Sequence, residues 1–282
     1  MSDTSSAWSW RVLRAGRFKL DGGAMFGLVP KPLWQRLVTP DDRNRIPLQT
    51  NCLLLENNGQ VVLVETGIGD KQSDKLRDIY DQERRTVVDA LRAVGADAKD
   101  ISLVIVTHLH FDHAGGLTTL DSTGGAIPVF PNAKVVTQKQ EWDDALANKS
   151  TMHSTYLRNH LDPIADRVEL VQGEAEVLPG LFVGPMPGHT WGQQAVRFVD
   201  PSGTTVIFPA DVMPTIHHSG PATQMSYDMI PYENMLQKQA LLSTACRENW
   251  TIVLDHEPGD PVVHSVPNPK RQGQFLLSPV EG

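Results

Sequence analysis

Hydrophobic positions along this chain gather in short, unbroken runs separated by turn-forming residues, a pattern of buried strands more than of amphipathic helices. Thr50–Glu56 and Gln60–Glu65 flank Asn57-Asn58-Gly59, and Asn-Gly between apolar runs predicts a tight hairpin. Val61-Val62-Leu63-Val64 does not alternate with polar residues, so this strand is expected to be covered on both faces. Arg84–Val94 reads as a helix ended by Gly95 in a left-handed cap. Ile101–Thr107 is a further β-branched run, and strands are expected near Lys134–Thr137, Arg167–Val171 and Leu181–Pro185. A second hairpin, Gln194–Val199 with Thr204–Phe208, turns at Asp200-Pro201-Ser202-Gly203. A helix from about Tyr232 to Asn249 starts beside Pro231, and a last short strand, Thr251–Leu254, runs into Asp255-His256. Strands alternating with helices predict layered α/β architecture.

Residues 1–48 fit this pattern least. Gly22-Gly23 and Pro30, Pro32, Pro40 and Pro47 mark them as loop-rich, yet they carry Met25, Phe26, Leu28, Trp34 and Leu37. Apolar side chains in such a segment need a surface to pack on, which predicts an N-terminal arm or a flap over a pocket. No repeat, low-complexity tract or linker interrupts 1–282, so one domain is expected. The net charge of −8 disfavours nucleic-acid wrapping, which needs clustered Lys and Arg. Cys52 and Cys246 read as two buried free thiols. No run approaches the ~18 apolar residues of a membrane span, and Met1–Ser6 lacks the basic start of a leader, so a cytoplasmic location is expected.

The chemistry concentrates immediately after Ile101–Thr107. His108, His110, Asp112 and His113 fall within six positions and are followed by Gly115-Gly116. In extended backbone His108 and His110 point to one side, and Asp112 and His113 lie where the chain turns. Imidazole and carboxylate without thiolate suit zinc by default, and also iron, manganese or cobalt, and exclude a structural cysteine-type zinc site. Asp112 alone would serve as a helix N-cap, but three histidines crowded at one strand end have no such use.

His108-Leu109-His110-Phe111-Asp112-His113-Ala114-Gly115-Gly116 resembles the HxHxDH signature of the metallo-β-lactamase superfamily. Pro187-Gly188-His189-Thr190-Trp191-Gly192-Gln193, Pro209-Ala210-Asp211-Val212 and Leu254-Asp255-His256 resemble its later motifs, in the same order. The resemblance runs from about Asn51 to Glu257. It implies an αββα sandwich of two mixed β-sheets flanked by helices, with two divalent cations at one edge. It implies His108, His110 and His189 on the first cation, Asp112, His113 and His256 on the second, and Asp211 bridging them. Asp112 and Asp211 are then the catalytic acids around a bridging hydroxide. Glu65 stands where the family usually has aspartate, and is expected to support the metal loop from behind. His153, His160, His217, His218 and His264 are left over; His217-His218 read as solvated loop histidines, with His217 also a candidate pocket residue.

The chain is similar to the branch of lactonases and methyl-parathion-type hydrolases, which implies hydrolysis of an ester, lactone or related small molecule. Several such lactonases carry a tyrosine three residues after the bridging aspartate; here that residue is Pro214, and Tyr227 is the candidate replacement. The expected pocket is Met25, Phe26, Trp34, His217 and Tyr227. A glyoxalase-II-like thioesterase shares the ligand set, and a mononuclear iron dioxygenase of persulfides shares the fold; a catalytically silent binding module is the third alternative. Partners are expected to be a small-molecule substrate and at most a second copy of the chain in a homodimer, with no nucleic acid and no membrane.

Overall fold

A computed structural model describes residues 6–280; Met1–Ser5, on which the leader expectation rests, lie outside the described residues. The strands in chain order are β1 (Ser9–Asp21), β2 (Arg45–Asn57), β3 (Gln60–Val64), β4 (Leu103–Ile105), β5 (Thr118–Leu120), β6 (Ala126–Pro128), β7 (Lys134–Gln138) and β8 (Val168–Val171). They continue as β9 (Ala175–Leu178), β10 (Leu181–Pro185), β11 (Gln194–Val199), β12 (Thr205–Phe208), β13 (Thr251–Val253), β14 (Val262–Pro267) and β15 (Phe275–Pro279). One six-stranded sheet has the order β1-β2-β3-β4-β7-β8, and one seven-stranded sheet the order β15-β14-β13-β12-β11-β10-β9. Both are mixed: β3, β4, β7 and β8 run parallel, as do β12 and β13, and the remaining neighbours are antiparallel.

Side-chain alternation explains why the unbroken apolar runs work as strands. Leu53, Leu55, Val62, Val64 and Ile105 point between the sheets, where they meet Val183, Val196, Phe198, Val206 and Phe208. Their neighbours Cys52, Leu54, Leu63 and Val104 point the other way, onto Val87, Ala90 and Leu91 of the helix Val87–Ala93 and Trp142 of the helix Lys139–Leu146. On the far side, Ile207, Ile252 and Val263 pack on Leu241, Leu242 and Ala245 of the helix Pro231–Glu248. Helices thus cover both outer faces of a two-sheet sandwich, and strands buried on both sides carry no polar alternation.

The hairpin closes through Asn58 and Gly59 at φ of 47° and 79°, the left-handed pair that a two-residue turn requires. Gly95, at φ 82°, follows the helix Val87–Ala93 in the left-handed conformation expected of it. Both cysteines are free, Cys52 buried and Cys246 partly so. Among the described residues no helix is long and apolar enough to cross a membrane.

Two segments depart from expectation. Residues 9–21 are not loop: β1 pairs with β2 over its length, from Ser9↔Glu56 to Asp21↔Arg45. A bulge between Arg14 and Arg17 shifts the alternation, and Gly16 inside it reads as a loop residue when the sequence is scanned alone. After His256 the chain adds β14, which pairs with β13 on one side and β15 on the other, and β15, the edge strand of the seven-stranded sheet.

Candidate metal centre

Parallel pairing brings the chemistry together. The C-terminal ends of neighbouring parallel strands lie side by side, so β3 and β4 deliver Glu65 and Thr107-His108 to one edge, and β12 and β13 deliver Asp211 and Asp255-His256 to the same edge of the other sheet. The edges are tied where Gln194 N–H donates to Thr107 O at 2.9 Å. The loop between β10 and β11 adds His189, and a single helical turn, Phe111–Ala114, carries Asp112 and His113.

Two clusters of potential ligand atoms result. His108, His110 and His189 form one; His113, Asp211, Asp255 and His256 form the other. Asp211 lies between them. Its Oδ2 is 3.1 Å from His189 Nε2 and 3.7 Å from His108 Nε2, and its Oδ1 is 3.3 Å from His256 Nε2. Asp112 stands slightly further off, 3.6 Å from His256 Nε2 and 3.9 Å from His113 Nε2, and it faces the pocket.

Most of the histidines are held by one nitrogen and bare at the other. His256 Nδ1–H donates to Gln49 O at 3.0 Å, His189 Nδ1–H to Asp228 Oδ1 at 2.9 Å, and His113 Nδ1 lies 3.3 Å from Glu65 Oε2. His108 Nδ1 meets Thr107 Oγ1 at 3.1 Å. The nitrogens on the other side, Nε2 of His108, His113 and His256, are buried without a hydrogen-bond partner, as are Asp211 Oδ1 and both oxygens of Asp255. Buried polar atoms are rarely left unpaired, and so many converging on one spot fit divalent cations in number and type. His110 Nδ1 lies 2.9 Å from His189 Nε2, two imidazole nitrogens turned to the same point.

Burial, reinforced by the neighbouring imidazoles, keeps His108 and His110 well below the usual histidine range, hence neutral and fit for ligation. Burial also opposes charge on His113 and His189, but Glu65 and Asp112 outweigh it at the first, and Asp211 with Asp228 at the second. Burial works against the Asp211 carboxylate, yet His189 and His256 hold it well below the carboxylate range. Asp255 is pushed well above that range by burial and then by Asp211.

Two supports went unseen in the sequence. Glu141 is buried; its Oε1 accepts from Leu109 N at 2.9 Å and Tyr156 Oη at 3.1 Å, and its Oε2 from Thr190 Oγ1 at 2.6 Å. It thus joins the His108–His113 loop to the His189 loop. Asp228 accepts from Met225 N at 3.0 Å and Asn234 Nδ2 at 2.8 Å while holding His189. Neither acid has a sequence spacing that could reveal it. Asp255, adjacent to His256, did carry a signal. Glu65 supports the loop from behind as expected, its Oε1 accepting from Thr107 N at 2.8 Å. Glu65 and Ala210 both hold positive φ, 67° and 50°, a strained backbone that the surrounding packing maintains at the site.

A cavity of about 320 Å³ opens onto His110, Asp112, His189, Asp211 and His256. Met25 and Tyr227 line it, but Phe26, Trp34 and His217 do not. Phe26 and Trp34 are fully buried and stack on each other with centroids 5.4 Å apart, behind the wall that Met25 presents. Phe26 and Trp34 therefore pack as core with Phe18, Ile46 and Leu48, while Met25, Arg43 and Arg45 are what 22–48 contributes to the pocket and Leu28, Leu33 and Leu37 are exposed. His218 is no solvated histidine: it is buried against Phe26, its Nε2–H donates to Met25 O at 2.9 Å, and burial lowers its pKa to about 4. His217 is half-buried on the adjoining turn.

The sequence profile of the Metallo-beta-lactamase superfamily matches residues 45–256. An N-acyl homoserine lactonase of Bacillus thuringiensis is 28% identical over 187 residues, 62% of this chain and 67% of that protein. The lactonase AttM of Rhizobium radiobacter is 24% identical over 180 residues, covering 61% and 64%. A probable metal-dependent hydrolase from Staphylococcus aureus superposes with a TM-score of 0.86 at 27% identity, over 98% of this chain and 99% of that one. The dizinc quorum-quenching lactonase AidC shares the fold at a TM-score of 0.77 and 19% identity, over 99% of each chain.

Proposed function

The chain belongs to the metallo-β-lactamase superfamily, and from that premise we propose that it is a dinuclear metal-dependent hydrolase of small esters or lactones. The observation that carries the reading is the set of unpartnered ring nitrogens arranged around Asp211 at the floor of an apolar pocket. His108, His110 and His189 would hold one cation, His113, His256 and Asp112 the other, and Asp211 both. Divalent cations held there bring the pKa of water down to about 7 and polarise an ester carbonyl.

The protein's own groups supply the rest. Asp112 lines the pocket beside His256, placed to orient an attacking water and take its proton. Tyr227 lines the same pocket; burial raises its hydroxyl well above the usual phenol range, so it stays protonated and able to donate to a substrate carbonyl. That hydroxyl would replace the tyrosine absent at Pro214. Met25, Met225, Met229 and Phe111 give the pocket an adaptable apolar wall for the remainder of the substrate. AidC is described with a lactonase product, which supports the lactone reading for this chain.

The test is an anaerobic hydrolysis panel on metal-replete protein: lactones, aryl esters, thioesters, phosphotriesters and β-lactams. Turnover of lactones or aryl esters without oxygen, abolished by chelation, is the expected result. Turnover of thioesters alone, or oxygen uptake with a persulfide, refutes it.

A further inference from the structure

Asp255 has no place in the ligand set that the family resemblance implies, yet its carboxylate belongs to the second cluster of potential ligand atoms. It is 2% exposed, and neither Oδ1 nor Oδ2 has a hydrogen-bond partner. A carboxylate oxygen of Asp255 lies within 4.8 Å of ligand atoms on His113, Asp211 and His256, and Oδ2 is 3.9 Å from His256 Nε2. His256 Nε2, which Oδ2 approaches, and His113 Nε2 in the same cluster are themselves bare. A buried carboxylate without a donor is tolerated when it meets a cation.

The backbone fixes it there. Asn51 N–H donates to Asp255 O at 2.7 Å, and Asn51 Nδ2 donates to Leu254 O and Glu257 O, both at 2.9 Å. Asp255 is therefore pinned to β2. Asp112, Asp211 and His256 line the pocket, whereas Asp255 does not, so it reaches the cluster from behind.

We propose that Asp255 is a ligand of the second cation, approaching from the side away from the pocket while Asp112 approaches from the pocket side. This rests on the dinuclear reading above. The two cation sites are then unlike. The first is rich in imidazole; the second combines two imidazoles with Asp112, Asp211 and Asp255, a donor set that suits a harder, oxygen-seeking ion such as Mn²⁺.

Chelator-stripped wild type and Asp255→Asn are titrated with Mn²⁺, and free ion is read from its six-line paramagnetic resonance signal. Wild type is expected to bind two ions. Asp255→Asn is expected to keep one at wild-type affinity and to bind the other at least about tenfold more weakly. Whether wild type takes up one Mn²⁺ or two, a smaller loss overturns the assignment while leaving the dinuclear reading intact, and a wild type that binds none overturns both. Should the variant fail to fold, anomalous diffraction from Mn²⁺-loaded wild type decides: an ion at bonding distance from Asp255 supports the assignment, and one beyond it refutes it.

Discussion

His189 shows how much of a candidate metal centre lies in residues outside the proposed ligand set. Its Nε2 points at Asp211 and His110 only because Asp228, whose side chain has no solvent exposure, fixes Nδ1 at 2.9 Å. Such carboxylate–imidazole contacts set the tautomer and the ring orientation. Asp228→Asn places an amide where an acceptor is needed and disturbs the contacts to Met225 N and Asn234. Affinity for the ion at His189 is expected to fall about 10–100-fold, read by competition with a chromophoric chelator; unchanged affinity would remove Asp228 from the site. The histidines were legible because four candidate ligands are nearly contiguous. Asp228 and Glu141 were not, because the residues they hold lie 39 and 49 positions away with no periodicity to announce them.

At the scale of elements, the turn after β4 works because two glycines let the metal loop press on the turn after β3. An added methyl at Gly116 would lie 2.1 Å from Thr66 O, and one at Gly115 2.1 Å from Ile68 O. Thr66 in turn donates N–H and Oγ1–H to His113 O at 3.0 and 2.6 Å, and Lys71 Nζ donates to Gly115 O and Thr118 O. Gly116→Ala is therefore expected to lose about 3 kcal/mol in urea unfolding. Gly184→Ala, whose methyl would meet only Glu174 Cγ at 4.0 Å, is expected to leave stability unchanged or slightly higher. Equal effects would show that the close approach does not matter. The buried strands were readable from apolar runs alone, and the Asn-Gly hairpin from its turn chemistry. β1 was hidden by its bulge, and β15 by its place at the sheet edge, where most of its side chains are at least partly exposed.

For the whole molecule, two sheets packed face to face bring the ends of β4, β12 and β13 to a single rim. Residues from His108 to His256 meet there, and Asp211 faces both clusters. The order of motifs carried that convergence in advance, whereas the shape of the pocket depended on packing that no local pattern encodes. Trp34, expected at the mouth, stacks on Phe26 in the core instead. Counting metal per chain tests the account most directly, by elemental mass spectrometry on the purified protein together with a lactone or ester assay before and after chelation. The account predicts two divalent ions per chain, with hydrolysis lost on their removal and restored on their return. A single iron per chain accompanied by oxygen consumption, or hydrolysis that survives complete removal of metal, would contradict it.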